Sequence, residues 1–266
     1  MRKPVAAEAV AQLVQGSRKY ADVDAGLVAT LSRREGAKAV NEKQAVKRVK
    51  RKLHQMVGAY LDAEVPFADW LQRLRNADAG ARGQLCLELM LQHASTRERV
   101  GELQPIYDFI FADVAPQTVL DLACGLNPLG CTFMPLPPQS AYVAADVHHG
   151  LIAFLNEALP LLGVRGRAFA HDLLAGPPAV SADVVLLLKT LPCLEQADRE
   201  AGRSLLAALQ APLIVVSFPT TSLGGARRGM ERFYQQRFAA VLAREHFECE
   251  TRLFASELVC KLRRHP

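Results

Sequence analysis

The sequence predicts an α/β protein: a mostly parallel, seven-stranded sheet ending in an antiparallel hairpin, preceded by a helical region. Five short apolar runs between residues 118 and 218 alternate with stretches of helical length, the signature of parallel strands joined by crossover helices. Two further runs, Phe247–Phe254 and Glu257–Arg263, are separated only by Ala255-Ser256. Strands so close in sequence pair as a hairpin, here at the sheet edge. The first hundred residues instead repeat their apolar positions at intervals of three and four, which is helical spacing.

In chain order, Asn41-x-x-Gln44 resembles a capping box that opens a helix running to about Leu61. Val46, Val49, Leu53, Met56 and Tyr60 form its apolar flank. Lys43, Lys47, Lys50 and Arg51 occupy the other faces, with Arg48 and Lys52 widening the basic surface. Further helices are expected over Phe67–Arg75 and Gly83–Gln92, and the His93–Arg99 segment leads into a helix ending near Phe111. Strands are expected at 118–123, 141–146, 167–172, 183–189 and 213–218. Leu151–Leu162 and Asp198–Leu209 serve as helical connections, and a helix near Met230–Arg244 precedes the hairpin. This divides the chain into a helical docking domain over 1–92 and a sheet domain over 93–266. Five parallel strands plus a terminal hairpin is the pattern of a class I methyltransferase rather than of a dehydrogenase.

The most informative stretch is Val119–Leu129, where Val119, Leu120 and Leu122 run as a buried strand into a turn at Gly125. Glycine permits a turn that a side chain would block, and Asn127-Pro128 stops the strand. Asp146 ends the second apolar run 21 residues after Gly125. That is about the spacing at which an acid meets the ribose of a cofactor in a doubly wound fold. The fingerprint G-x-G-x-x-G is absent, so no pyrophosphate needs cradling and S-adenosylmethionine is the leading cofactor. A NAD-dependent oxidoreductase is disfavoured for the same reason. Asp172, at the end of the third expected strand, can accept a bond from an adenine amino group while Leu173 packs on the ring. The plainer reading of Asp172 is a helix N-cap.

Lys189 closes the fourth expected strand, where methyltransferases often place substrate-facing groups, but no Asn-Pro-Pro-Tyr motif follows. Pro192-Cys193 is similar to the pair of cytosine-C5 methylases, whose thiolate attacks the ring. Their usual neighbours are missing, and Cys193 reads better as a structural cysteine. After the fifth strand, Ser217–Met230 is glycine-rich and basic. Phe218 could stack on a base while Arg227 and Arg228 meet phosphates; an ordinary loop beside a core phenylalanine is the bland alternative.

Half of the 266 residues are hydrophobic, enough for a substantial core and against global disorder. No apolar run approaches a membrane span, no apolar segment follows Met1-Arg-Lys-Pro4, and the six cysteines show neither a C-x-x-C pair nor zinc spacing. A cytoplasmic, reduced, metal-free protein is expected, and a monomer. The net charge of +5 is unevenly placed: residues 1–55 hold 13 Lys and Arg against 5 Asp and Glu, leaving the remainder slightly acidic. Such a segment suits a polyanionic partner; a solvated helix face is the simpler alternative.

Together these residues resemble the aminoglycoside-resistance 16S rRNA methyltransferases that modify guanine N7 in the decoding site. The resemblance rests on His93-Ala-Ser-Thr-x-Glu-Arg99, Tyr107-Asp-Phe-Ile-Phe111, Leu120-Asp-x-Ala-Cys-Gly-Leu-Asn-Pro-Leu129, Asp146-x-His148, Ser217-Phe-Pro-Thr220 and Ser222-Leu-Gly-Gly225. Leu53-His54 and Gly58-Ala-Tyr60 match the family's helical module. The resemblance implies that Arg99, with Thr96, holds the methionine carboxylate of S-adenosylmethionine. Ala123 and Gly125 would approach its backbone, Asp146 its ribose, and Asp172 with Leu173 its adenine. Lys189 and Glu195 match sensitive family positions, Phe218 and Met230 would line the guanine pocket, and the basic helices would dock on 16S rRNA in the assembled small subunit. Guanine N7 already presents a lone pair, so no general base is required, in keeping with the lack of a Cys-His or Ser-His-Asp constellation. The chain departs from the pattern at Thr221, where an arginine or lysine usually stands, and at Ala226, where an arginine usually follows the paired glycines. Adenine-N1 methylation, a small-molecule methyltransferase and a non-catalytic ribosome-assembly factor are the competing readings.

Overall fold

The computed structural model describes residues 5–58, 65–220, 242 and 246–264. Thr221, Ala226, Arg227, Arg228, Met230, Tyr60, Leu61 and, apart from Leu242, the expected helix Met230–Arg244 lie outside the described residues. The sheet has the order β3-β2-β1-β4-β5-β7-β6, built from β1 Thr118–Leu122, β2 Ala141–Asp146, β3 Gly166–Ala170, β4 Val184–Leu188, β5 Leu213–Pro219, β6 Phe247–Leu253 and β7 Glu257–Arg264. The first five are parallel, and β7 runs antiparallel to both β5 and β6. The hairpin therefore sits at the edge, as expected, with its second strand inserted on the inner side.

The central strands read as continuous apolar runs because both faces are covered. Along β4, Val184, Leu186 and Leu188 enter one core and Val185 and Leu187 the other. The first core lies under α4 (Phe67–Asn76), α5 (Ala79–Met90), α7 (Leu103–Phe111) and α8 (His149–Leu161). The second lies under α9 (Thr190–Ala197) and α10 (Ala201–Ala208). Between α5 and α7, α6 (Ala94–Arg99) is followed by a 3-10 turn over Val100–Glu102, so the His93–Arg99 segment leads through this turn into α7, which ends at Phe111 as expected.

A third core joins α1 (Ala7–Gln15), α2 (Ala25–Gly36) and α3 (Glu42–Leu53) around Val10, Val14, Leu27, Leu31, Val49 and Leu53. Asn41 Oδ1 caps α3 by accepting from Gln44 N at 2.8 Å, and Gln44 Oε1 accepts from Val40 N at 2.7 Å. The box is thus present, displaced by one residue on its return bond. Beyond Leu53 the helix widens into a π turn, His54–Gly58. Residues 5–58 form this separate core, whereas Trp70, Leu74, Leu85 and Met90 belong to the sheet's core, so packing does not break at residue 92. The N-terminal helices are stitched to the sheet by backbone bonds from Asp24 N to Val147 O and from His149 N to Asp22 O, both 2.7 Å.

Three expected elements end differently, and each shift moves a site residue. β3 stops at Ala170; Asp172 instead caps a 3-10 turn, accepting from Leu174 N at 2.9 Å. β1 stops at Leu122, and Ala123 turns out with φ 52°. β4 stops at Leu188, and Lys189, with φ 58°, is the N-cap of α9, a helix the sequence pattern does not announce.

Candidate active site

The ends of β1, β2 and β4 meet at one crevice, the place where open parallel sheets bind ligands. Gly125 adopts φ 51°, and a Cβ there would stand 2.7 Å from His93 Nε2, so only glycine fits. Asp146 fastens this turn: its Oδ2 accepts from Gly125 N at 3.0 Å, and its Oδ1 accepts from Val147 N and His148 N. Burial raises its pKa despite those bonds.

Two adjoining hollows open here. One is bordered by His93, Ser95, Ala123, Asp146, Leu188 and Lys189. The other is bordered by Ala123, Asp146, His171, Asp172, Leu173 and Leu194. Met56, Val57, Thr190 and Cys193 border both. The first hollow is polar at its far end: Lys189 Nζ donates to Glu98 Oε2 at 2.7 Å and to Ser95 O at 3.2 Å, and Ser95 Oγ stands 3.1 Å from His93 Nδ1. His93 is pushed down to about 3 by burial and by the charges of Arg99, Lys189 and Arg97; its ring is neutral at pH 7. At the other end Asp172, its pKa raised by burial, stands beside apolar Leu173.

Of the sequence-predicted residues, the structure brings Ala123, Asp146, Asp172, Leu173 and Lys189 to the crevice wall. Gly125 shapes the turn beneath it. Thr96 and Arg99 are absent from both walls: Thr96 Oγ1 donates to Met90 O at 2.6 Å, and Arg99 is 1% exposed. The fork of Arg99 is engaged by Glu257 (Nε to Oε1 2.5 Å, NH2 to Oε2 3.1 Å) and by Asn127 Oδ1 at 2.8 Å. The expected carboxylate clamp at Arg99 is therefore a buried brace in this structure. Phe218 is 4% exposed and belongs to the sheet core, and Glu195 is half-buried on α9 outside both hollows. On α3, Lys43, Lys47 and Arg51 are exposed and Lys50 is half-buried.

The brace runs through the centre of the molecule. Asn127 Oδ1 also accepts from Tyr107 OH, and its Nδ2 donates to Asp121 Oδ2 at 2.9 Å and to Tyr142 OH at 3.3 Å. All four hydrogen-bonding positions of the amide are filled. From Glu257 the chain of bonds continues: Ser217 Oγ donates to Glu257 Oε2, and Lys189 N donates to Ser217 Oγ at 3.0 Å. Burial opposes the Glu257 charge, but Arg99 and Lys189 hold its carboxyl below the ordinary range. Asn127 and Glu257 are thus site-building residues that sequence reasoning missed. Asn127 sat inside the quoted motif as a mere strand stop, and nothing local marks Glu257.

The parallel sheet with its inserted antiparallel strand, the glycine turn and the second-strand acid define a class I methyltransferase, with S-adenosylmethionine as cofactor. The crevice fits that group: acid and apolar wall at one end, cation and neutral imidazole at the other. Residues 16–260 match the family described as ribosomal RNA methyltransferase (FmrO), and the chain belongs to that family. A Frankia casuarinae protein named 16S rRNA (guanine(1405)-N(7))-methyltransferase is 41% identical over 97% of this chain and 94% of its own. One of the same name from Micromonospora echinospora is 43% identical over 86% of each chain. The crystal structure of the 16S rRNA methyltransferase RmtF with S-adenosyl-L-homocysteine superposes with a TM-score of 0.82 at 30% identity, covering 100% of both chains.

Proposed function

We propose that the protein methylates N7 of a guanine in the decoding site of 16S rRNA, within the assembled small ribosomal subunit, and so confers aminoglycoside resistance. The observation that supports this most is the near full-length similarity to relatives that bear the name of that activity. In this reading the enzyme is a cytoplasmic monomer that needs no metal. Among the described residues no group of His, Cys, Asp or Glu could hold one, and no helix is long and apolar enough to cross a membrane.

S-adenosylmethionine, when bound, supplies an activated methyl group. Asp146 would meet its ribose, Asp172 and Leu173 its adenine, and Ala123 its backbone. Arg99 and Thr96 act from behind the wall by bracing it, rather than by contact. Lys189, held by Glu98, places a positive charge at the polar end of the cleft near the substrate, and Glu195 supports α9. The exposed cations Lys43, Lys47 and Arg51, with Lys50, meet rRNA phosphates. By resemblance to the family, Met230 is assigned to the guanine pocket, and Arg227 and Arg228 are assigned to rRNA phosphates in place of the arginine the family carries at Ala226. N7 carries an in-plane lone pair, so the protein's task is alignment and exclusion of water rather than proton removal. Extruding the guanine costs a few kcal/mol, offset by docking contacts.

The test is incubation with assembled small subunits and, separately, free 16S rRNA, using labelled S-adenosylmethionine and mapping by N7-dependent strand cleavage. Cleavage at one decoding-site guanine, from assembled subunits only, is expected. Label without N7 cleavage would overturn the target assignment, and label on free rRNA alone would overturn the docking role.

A further inference from the structure

Part of the wall common to both hollows comes from the N-terminal helices, outside the sheet domain. Met56 and Val57 sit in the π turn that continues α3, and both border each hollow. Met56 is half-buried and packs against the N-terminal core and the sheet core alike. The same turn packs against α9, which contributes Thr190 and Cys193 to the cleft. Lys52, one residue before the end of α3, donates through Nζ to Gln196 O on α9. A second N-terminal contact lies beside the first: Leu27 of α2 borders the adenine-end hollow, and Val23 bridges to His148, two residues past Asp146. π turns inserted in α-helices are rare and occur often at functional sites. Here the turn places Met56 and Val57 on the cleft wall at the C-terminal end of α3.

We propose that the N-terminal helical unit supplies one wall of the S-adenosylmethionine cleft through Met56 and Val57, so that cofactor binding and docking of α3 on the small subunit are thermodynamically linked. The linkage half rests on the docking role proposed above. A bound cofactor packs on the π turn and fixes the C-terminal end of α3; a basic helix already fixed loses less freedom on docking. By reciprocity the subunit tightens cofactor binding by the same factor.

The test uses the full chain and S-adenosylhomocysteine as probe. In titration calorimetry, Met56→Ala/Val57→Ala should bind it about five- to tenfold more weakly, the loss expected for deleting several apolar contact groups. Leu13→Ala, an exposed position on α1, should bind it as wild type does. Circular dichroism melts establish that each variant folds; should the double variant not fold, Val57→Ala alone is the reading, with a smaller shift in the same direction. Small-subunit affinity is then measured with and without the probe. Wild type should tighten about fivefold with it, and the double variant should not respond. Unchanged probe affinity in a folded variant overturns the wall, and an unresponsive wild type overturns the linkage. If Lys47→Glu/Lys50→Glu leaves subunit affinity intact, the docking role fails and takes the linkage with it, while the Met56 effect on the probe alone still decides the wall.

Discussion

Arg99 and the cations of α3 carry the same charge and lead opposite lives. Arg99 is 1% exposed, and Glu257 and Asn127 take up its fork. Lys43, Lys47 and Arg51 are exposed, and no ion pair among the described residues holds them. A buried guanidinium without its carboxylate is a large penalty, whereas a solvated lysine is nearly neutral to folding and available to a phosphate. The contrast separates charge that builds the cleft from charge that can meet a partner. Basic residues in a sequence divide the same way only once their surroundings are known.

The sharpest way to break the comparison is at Glu257. Glu257→Gln should cost about 3–5 kcal/mol in urea denaturation, because it leaves the Arg99 charge uncompensated. Arg99→Met/Glu257→Leu should regain most of that stability while the cofactor turn loses its brace. A stability loss in the double variant equal to that of the single one would show that the charge is not the issue.

His93 tests the buried region by pH. Its folded pKa of about 3 lies below the unfolded value of about 6.5. The unfolded chain therefore binds more protons between those values, and stability is full above 6.5 and lost as pH falls. Between pH 7 and 5 the loss is about 2 kcal/mol. Asp121 moves the other way: burial lifts it to about 6, so acidification relieves a cost. His93→Gln should remove only the His93 component, and denaturation at both pH values measures the difference.

The exposed side of the comparison predicts little for folding and more for binding. Lys47→Glu/Lys50→Glu should change stability by under about 0.5 kcal/mol. It should weaken small-subunit binding about tenfold or more and flatten its salt dependence by about two counterions. A single lost bond should show at the cap: Asn41→Ala should lower the unfolding free energy by about 1 kcal/mol, since only the bond to Gln44 N is lost.

The strands were legible because burial on both faces leaves apolar runs with turns between them, and spacing alone put Gly125 and Asp146 at the ends of neighbouring strands, whereas their direct bond was not legible. Lys189 was misplaced into β4 because Leu186–Leu194 stays largely apolar through the end of the strand and into α9, so period could not separate the two. The helix there begins without a Ser, Thr, Asp or Asn cap. The π turn was hidden for a related reason: Val49, Leu53, Met56 and Tyr60 keep the three-and-four rhythm straight through it. Asp172 fits the plainer of its two readings as a cap and still borders the crevice. The Arg99–Glu257 pair joins residues 158 apart, and no local pattern carries such a contact.

That separation also sets a schedule. Arg99 leaves the ribosome 158 residues ahead of Glu257, and β5 waits for β7 before its outer edge is closed. Chains fold from the N-terminus as they are made, yet here the strut under the cofactor turn arrives after the rest of the sheet. A nascent copy of this rRNA-modifying enzyme thus has its cofactor turn unbraced until β7 has emerged to pair with β5.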